Sequence, residues 1–206
     1  MPDKFIQAAE DLNLISELTI SLFKQVCADA NMLPGRHRFA LNLSPMQLHD
    51  QDLFAKMRVL YTQAGLKPDR FEIEITEGAL VENIENARAT VDSLREAGFS
   101  IALDDFGTGY SSLYHLREIH FDRVKIDRSF IRDIASDERA ASYADAMIRL
   151  GRSLHLSVTA EGIEDQAVLS RLREMGCDVG QGYLFAKPMP APAIAAALEN
   201  LLHPAS

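Results

Sequence analysis

At 206 residues the chain can bury a sizeable core and is most simply one domain, 1–206. Asp+Glu 30 against Lys+Arg 21 leaves a net charge of -9, which argues against wrapping a nucleic acid polymer or docking on an anionic membrane; an anionic substrate would need cations brought by a metal. Cys27 and Cys177 stand alone, without CxxC or zinc spacing, and neither a signal-peptide pattern nor a long apolar run is present, so the sequence predicts a reducing, cytoplasmic setting and no membrane segment.

From Met1 to Ala30 apolar residues recur at helical spacing (Phe5, Ile6, Ala9, then Leu14, Ile15, Leu18, Leu22 and Val26), with Asn13 as a break. Pro34-Gly35 turns the chain into a strand, Arg38 to Leu43, and Ser44-Pro45 starts a helix. Leu53 to Ala64 is helical and ends at Gly65; Phe71 to Ile75 is a strand whose two glutamates, Glu72 and Glu74, share one face. Ile84 to Ala97 is an amphipathic helix stopped by Gly98, and Ser100 to Leu103 is a short apolar strand that ends in Asp104-Asp105. Gly107 and Gly109 bracket Thr108 in a sharp turn, and Ser111-Ser112 supplies N-caps for a short helix from Leu113. Next come a strand Phe121 to Asp127, a long helix Ser136 to Leu154, and a strand Leu156 to Ala160 that delivers Glu161 and Glu164. A helix Gln166 to Met175, a last strand Cys177 to Leu184 and an Ala-rich helix Pro190 to Leu202 complete the chain.

Six strands, each followed by a helix or helical turn, predict an α/β fold with parallel strands and right-handed crossovers. The polar residues decide between a barrel and an open doubly wound sheet. Asn42, Glu74, Asp104, Asp105, Lys125, Glu161 and Gln181 each fall at the carboxyl end of a strand, where (β/α) barrels build their sites. Adjacent carboxylates at the mouth of a buried strand repel one another unless a cation holds them. Asn42, Glu74, Asp104, Asp105 and Glu161 provide enough hard oxygen ligands for two ions, Mg²⁺ or Mn²⁺, sharing a bridging Asp, and Lys125 is placed to orient an attacking water. No HxH or HExxH pattern occurs, so zinc is not expected.

These motifs resemble those of the EAL domains, bacterial phosphodiesterases that open cyclic di-GMP to linear pGpG. The matching stretches are Asn42-Leu43-Ser44, Glu74-Ile75-Thr76-Glu77, Asp104 to Leu113, Lys125-Ile126-Asp127, Ala160 to Glu164 and Gln181 to Pro188, in family order along almost the whole chain. The resemblance implies metal ligation by Asn42, Glu74, Asp104, Asp105 and Glu161, with Lys125 and Glu161 as the catalytic pair and Lys125 positioning the water. It also implies that Glu77 steadies the glycine-rich loop and that Glu164, Gln181 and Tyr183 lie at the nucleotide pocket. The implied cofactors are Mg²⁺ or Mn²⁺, the partners cyclic di-GMP and a second copy in a homodimer, and upstream sensory or GGDEF domains would fit the family's habits.

The family's name comes from a Glu-Ala-Leu segment on an early strand, whose glutamate is a metal ligand, and Met1 to Ile6 matches the helix after it. On that comparison the fold is an N-terminally truncated, incomplete (β/α) TIM-like barrel of about six of eight strands. The expected function is cyclic di-GMP hydrolysis, impaired in this short form; the alternative is a catalytically inactive cyclic di-GMP-binding or protein-interaction module. Open sheet edges would then favour self-association.

Overall fold

The computed structural model describes residues 2–80, 84–109 and 112–202; Met1, Tyr110 and Ser111 of the motifs above lie outside the described residues. Six strands form one sheet in the order β1-β2-β3-β4-β5-β6: Phe39–Leu43, Phe71–Thr76, Ser100–Phe106, Arg123–Ile126, Ser157–Ala160 and Val179–Gly180. Unbroken sequential order is what successive right-handed β/α crossovers produce, so the α/β, TIM-barrel-like expectation of about six strands holds. The chain forms two compact units, Met1–Ile73 with Ser93–Ser100 and Pro188–Ser206, and Glu74–Asp92 with Ile101–Lys187.

In the first unit, α1 (Pro2–Asp11) and α2 (Ile15–Met32) are separated at Asn13, whose φ of 54° ends the first helix. The chain after β1 is pinned by a capping box at Ser44, and the Gln47 side-chain amide donates to Thr19 Oγ1 at 2.9 Å. Helix α3 (Gln51–Gln63) is capped by Asp50, which accepts from Leu53 N and from Ser16 Oγ at 2.6 Å. An aromatic cluster fills the core: Phe71 lies 4.8 Å from Phe23 between ring centroids, and Tyr61 meets Phe99 edge-on at 5.8 Å. The C-terminal helix of this unit is Ala191–Leu202, labelled α9 after the helices below.

The second unit carries the rest: α4 (Ile84–Glu96, which ends in the first unit), α5 (Ser112–Glu118), α6 (Arg128–Ile131), α7 (Glu138–Ser153) and α8 (Gln166–Met175). Strands β3, β4, β5 and β6 pair in parallel, with Val124 opposite both Leu103 and Val158. Helix α7 buries Ala141, Ala144, Ile148 and Gly151, one stripe at helical spacing. Gly151 lets it seat against β4 and β5, because a Cβ there would stand 2.5 Å from Val158 Cγ2 and 3.2 Å from Val124 Cγ2. Helix α8 starts on the Asp165 side chain, which accepts from Val168 N, and stops at Gly176 with φ 77°.

Two elements differ from the sequence expectation. The last strand is only Val179–Gly180, because the residues after it turn back onto the segment following β5: Ile163 N donates to Gln181 O, and Leu184 N to Ile163 O. Gly182 allows this approach, since a Cβ would fall 2.1 Å from Ile163 O. The short α6 was not expected; it is set up by Asp127, whose side chain accepts from Ser129 N.

Candidate active site

Each residue of the site owes its place to a strand end. Glu74 lies in β2, Asp104 and Asp105 near the end of β3, Lys125 is the penultimate residue of β4, and Glu161 directly follows β5. In the parallel register Lys125 faces Thr159, one turn of the pleat from Glu161.

Lys125 is the centre of the cluster. Its ammonium Nζ lies 2.9 Å from Glu74 Oε2, 3.2 Å from Asp104 Oδ1 and 2.7 Å from Glu161 Oε1, and its side chain is only 4% exposed. One cation is thus shared by three carboxylates, with a fourth, Asp105, within their field. The shared ammonium is strongly held: burial opposes its charge, but Glu74, Glu161 and Asp104 outweigh that and raise its pKa above the ordinary lysine value. Each carboxylate receives only part of that one charge. Burial therefore keeps Glu74 and Glu161 above the usual carboxylate range, reinforced by their negative neighbours. Asp105 is raised for the same reason, with Asp104 and Asp127 as the repelling charges.

The two aspartates sit on a β-bulge. Leu103 pairs with Val124 but Phe106 pairs with Ile126, so β3 carries an extra residue, and Asp105 has φ 55°. Bulges re-aim side chains, and an Asp in the left-handed region is local strain of the kind that collects at functional sites. Asp105 N donates to Asp104 Oδ1 at 3.0 Å, and Thr108 closes the turn by donating from N and Oγ1 to Asp105 O.

Glu77 is 1% exposed and accepts from Gly109 N at 3.2 Å. Gly109 is required there, since a Cβ would stand 2.6 Å from Glu77 Cδ.

Glu74, Asp104, Lys125 and Glu161 are therefore brought into direct contact, Asp105 stands beside them, and Glu77 supports the following loop. Asn42 belongs to the first unit, where it is exposed in β1; Glu164, Gln181 and Tyr183 are exposed, with Lys187 over the Tyr183 ring at 5.9 Å. Two residues escaped the sequence reading. Asp127 repels Asp105, and its position in Lys125-Ile126-Asp127, two residues beyond the lysine, was the available signal. His115, buried near Glu77, had none.

The donor set suits a hard divalent cation. All four carboxylates offer oxygen, and a single ammonium leaves them with excess negative charge in a largely buried place. Among the described residues no group of three or more His, Cys, Asp or Glu side chains is drawn together as a cation cage; Lys125 occupies the point on which the carboxylates converge.

The EAL domain family matches residues 1–188. The chain is 42% identical over 197 residues to the cyclic di-GMP phosphodiesterase NbdA of Pseudomonas aeruginosa, covering 94% of this chain and 25% of that protein. Curated relatives at this level are far longer, and the chain spans about a quarter of their length. Among solved structures, the MucR phosphodiesterase in complex with c-di-GMP superposes with a TM-score of 0.87 at 33% identity, covering 94% of this chain and 80% of that one. Klebsiella pneumoniae BlrP1 in its manganese/cy-diGMP complex gives a TM-score of 0.78 at 32% identity, covering 84% of this chain and 45% of that one. With that match along nearly the whole chain, and carboxylates gathered on a buried lysine at successive strand ends, the chain belongs to the EAL domain family.

Proposed function

We propose that this chain is a single EAL-type module, 1–206, that hydrolyses cyclic di-GMP to linear pGpG with two divalent ions, Mg²⁺ or Mn²⁺, in the cytoplasm. The observation that carries the reading is the buried Lys125 ammonium held by Glu74, Asp104 and Glu161. Relatives named as cyclic di-GMP phosphodiesterases support the substrate, and family members solved with manganese or calcium support the metal class.

Glu74, Asp104, Asp105 and Glu161 would hold the ions, which would supply a polarised phosphoryl group and a more acidic water. Lys125 donates from its ammonium toward that water and aims it in line with the ester oxygen that leaves. Being held charged by its carboxylates, Lys125 is a donor and orienter rather than a base. Glu161, whose Oε1 lies 2.7 Å from the Lys125 ammonium, is placed to act beside it on the attacking water. Attack joins the water oxygen to phosphorus and breaks one ester bond of the ring; the leaving ribose oxygen takes up a proton. Glu164, Gln181 and Tyr183 line the nucleotide side.

Calorimetry with cyclic di-GMP, with and without Mn²⁺, alongside an assay for pGpG, tests this directly. Metal-dependent binding and turnover, lost in Glu161→Gln, is expected. Binding without turnover would make the chain a cyclic di-GMP receptor, and the absence of both binding and turnover would overturn the reading.

A further inference from the structure

Asp122 stands immediately before β4, half-buried at the amino ends of the parallel strands, away from the carboxylate cluster. It is bonded to the strand on either side. Ile101 N donates to Asp122 Oδ2 at 2.8 Å, and Asp122 N donates to Ile101 O at 2.8 Å, which holds it opposite the second residue of β3. Ser157 N, at the start of β5, donates to Asp122 O at 3.1 Å. In a parallel ladder the N–H and C=O of Ile101 point to the same neighbour, and both need a partner there. Strand β4 begins only at Arg123, so the Asp122 carboxylate stands where a longer strand would offer a backbone carbonyl. The same device recurs one strand pair away: Asp178 directly precedes β6, and its Oδ2 accepts from Val158 N, the second residue of β5, at 2.8 Å.

The two aspartates differ in what their strands carry. With Ala102 opposite Arg123 and Leu103 opposite Val124, one further step sets Asp104 beside Lys125, while Arg123 opposite Ser157 runs on to Lys125 opposite Thr159, with Glu161 just beyond. Lys125 Nζ then lies 3.2 Å from Asp104 Oδ1 and 2.7 Å from Glu161 Oε1. A slip of one residue would move β4 by about 3.3 Å and turn Lys125 to the other face of the sheet, so the cluster exists in one register. Strand β6 carries none of the three carboxylates that meet Lys125.

We propose that Asp122 is a positioning residue: by accepting the Ile101 N–H while its own backbone holds Ile101 O and Ser157 N, it sets the register of β3, β4 and β5 in which Asp104, Lys125 and Glu161 meet. It lies about 10 Å along β4 from Lys125 and acts through the strands, not on the reacting atoms. Its weight in turnover rests on the phosphodiesterase reading above, whereas its hold on the lysine does not.

In the metal-free full chain, the nitrogen–proton NMR resonance of the Lys125 ammonium, shielded from water by burial and three acceptors, reads the cluster directly. Asp122→Ala should speed exchange of the Ile101 amide about tenfold and remove that resonance. Asp122→Asn, which keeps an acceptor oxygen in place, should retain the resonance and hold Ile101 exchange within about threefold of the starting protein. Asp122→Glu, which keeps the charge but displaces the acceptor by a methylene, should behave like the Ala variant. Asp178→Ala is the matched control: it should speed Val158 exchange about tenfold yet leave the Lys125 resonance in place. In turnover at saturating Mn²⁺, Asp122→Ala should lower kcat about tenfold with KM within about twofold, Asn should restore it, and Asp178→Ala should keep kcat within about twofold. An unchanged Lys125 resonance in Asp122→Ala, an equal loss in Asp178→Ala, or no rescue by Asn would each overturn the proposal. Should the Ala variant fail to fold, the contrast between Asn and Glu still decides it. If no chain turns over while the NMR pattern holds, it is the phosphodiesterase reading that fails.

Discussion

At the scale of single residues the site is organised by a shortage of positive charge. Among the described residues Lys125 is the cation that faces Glu74, Asp104 and Glu161, so removing it leaves buried carboxylates uncompensated. Lys125→Met should cost on the order of 3 kcal/mol in metal-free protein, and Mn²⁺ should recover most of that, read from melting curves with and without the ion. On the proposed phosphodiesterase reading, turnover should fall by roughly 100-fold or more, because the attacking water would lose its orienting donor. The same shortage predicts a pH slope. Glu74 and Glu161 keep protons to higher pH in the folded chain than in the unfolded one, so the folded state binds more protons across that interval and stability falls as pH rises through it. Lys125 contributes stability that is complete below 10.5 and is lost as pH climbs through its raised folded value. As pH rises above the ordinary glutamate range, metal-free protein should therefore show a steeper loss of melting temperature than Glu74→Gln, a difference that saturating Mn²⁺ removes. Equal slopes in the two proteins would show that Glu74 is not held above the usual range.

At the scale of elements, close approaches made by glycine decide how helices and loops meet the sheet. Gly151 brings α7 within reach of Val158 and Val124, and Gly151→Ala should cost about 1–3 kcal/mol in chemical denaturation without changing metal dependence. Gly109 has a different role, since its missing side chain makes room for Glu77. Gly109→Ala should leave the melting temperature within a few degrees but reduce turnover by roughly tenfold, measured at saturating Mn²⁺. The reverse pattern, lost stability with intact turnover, would assign Glu77 to packing alone. The helices themselves are capped by their own sequence: Asp50, Asp127, Asp137 and Asp165 each accept a backbone N–H at a helix start. Short β6 shows the limit of such local logic, for Gly180 and Gly182 turn the chain onto Ile163 instead of extending the strand.

At the scale of the whole molecule, charge sets the conditions for binding. A chain with net charge -9 repels an anionic dinucleotide unless cations intervene. Chelating divalent ions should therefore weaken cyclic di-GMP binding by at least about tenfold, measured by calorimetry, and raising monovalent salt should not restore it. Among the described residues no helix is long and apolar enough to cross a membrane.

Alternating apolar and helical periods, with glycine and proline at the breaks, made the six strand–helix pairs legible from the sequence, as they also made Glu74, Asp104, Asp105, Lys125 and Glu161 legible as strand-end residues. These signals are local: they depend on which side chains repeat along one segment, and on which backbone angles glycine and asparagine allow. Only the tertiary structure decided that one lysine serves three carboxylates, that Asp104 and Asp105 ride on a bulge, and that Glu77 meets Gly109 across 32 residues. It alone ended the last strand after two residues. Register and packing between neighbouring strands set those distances, and no repeat within a single segment encodes them.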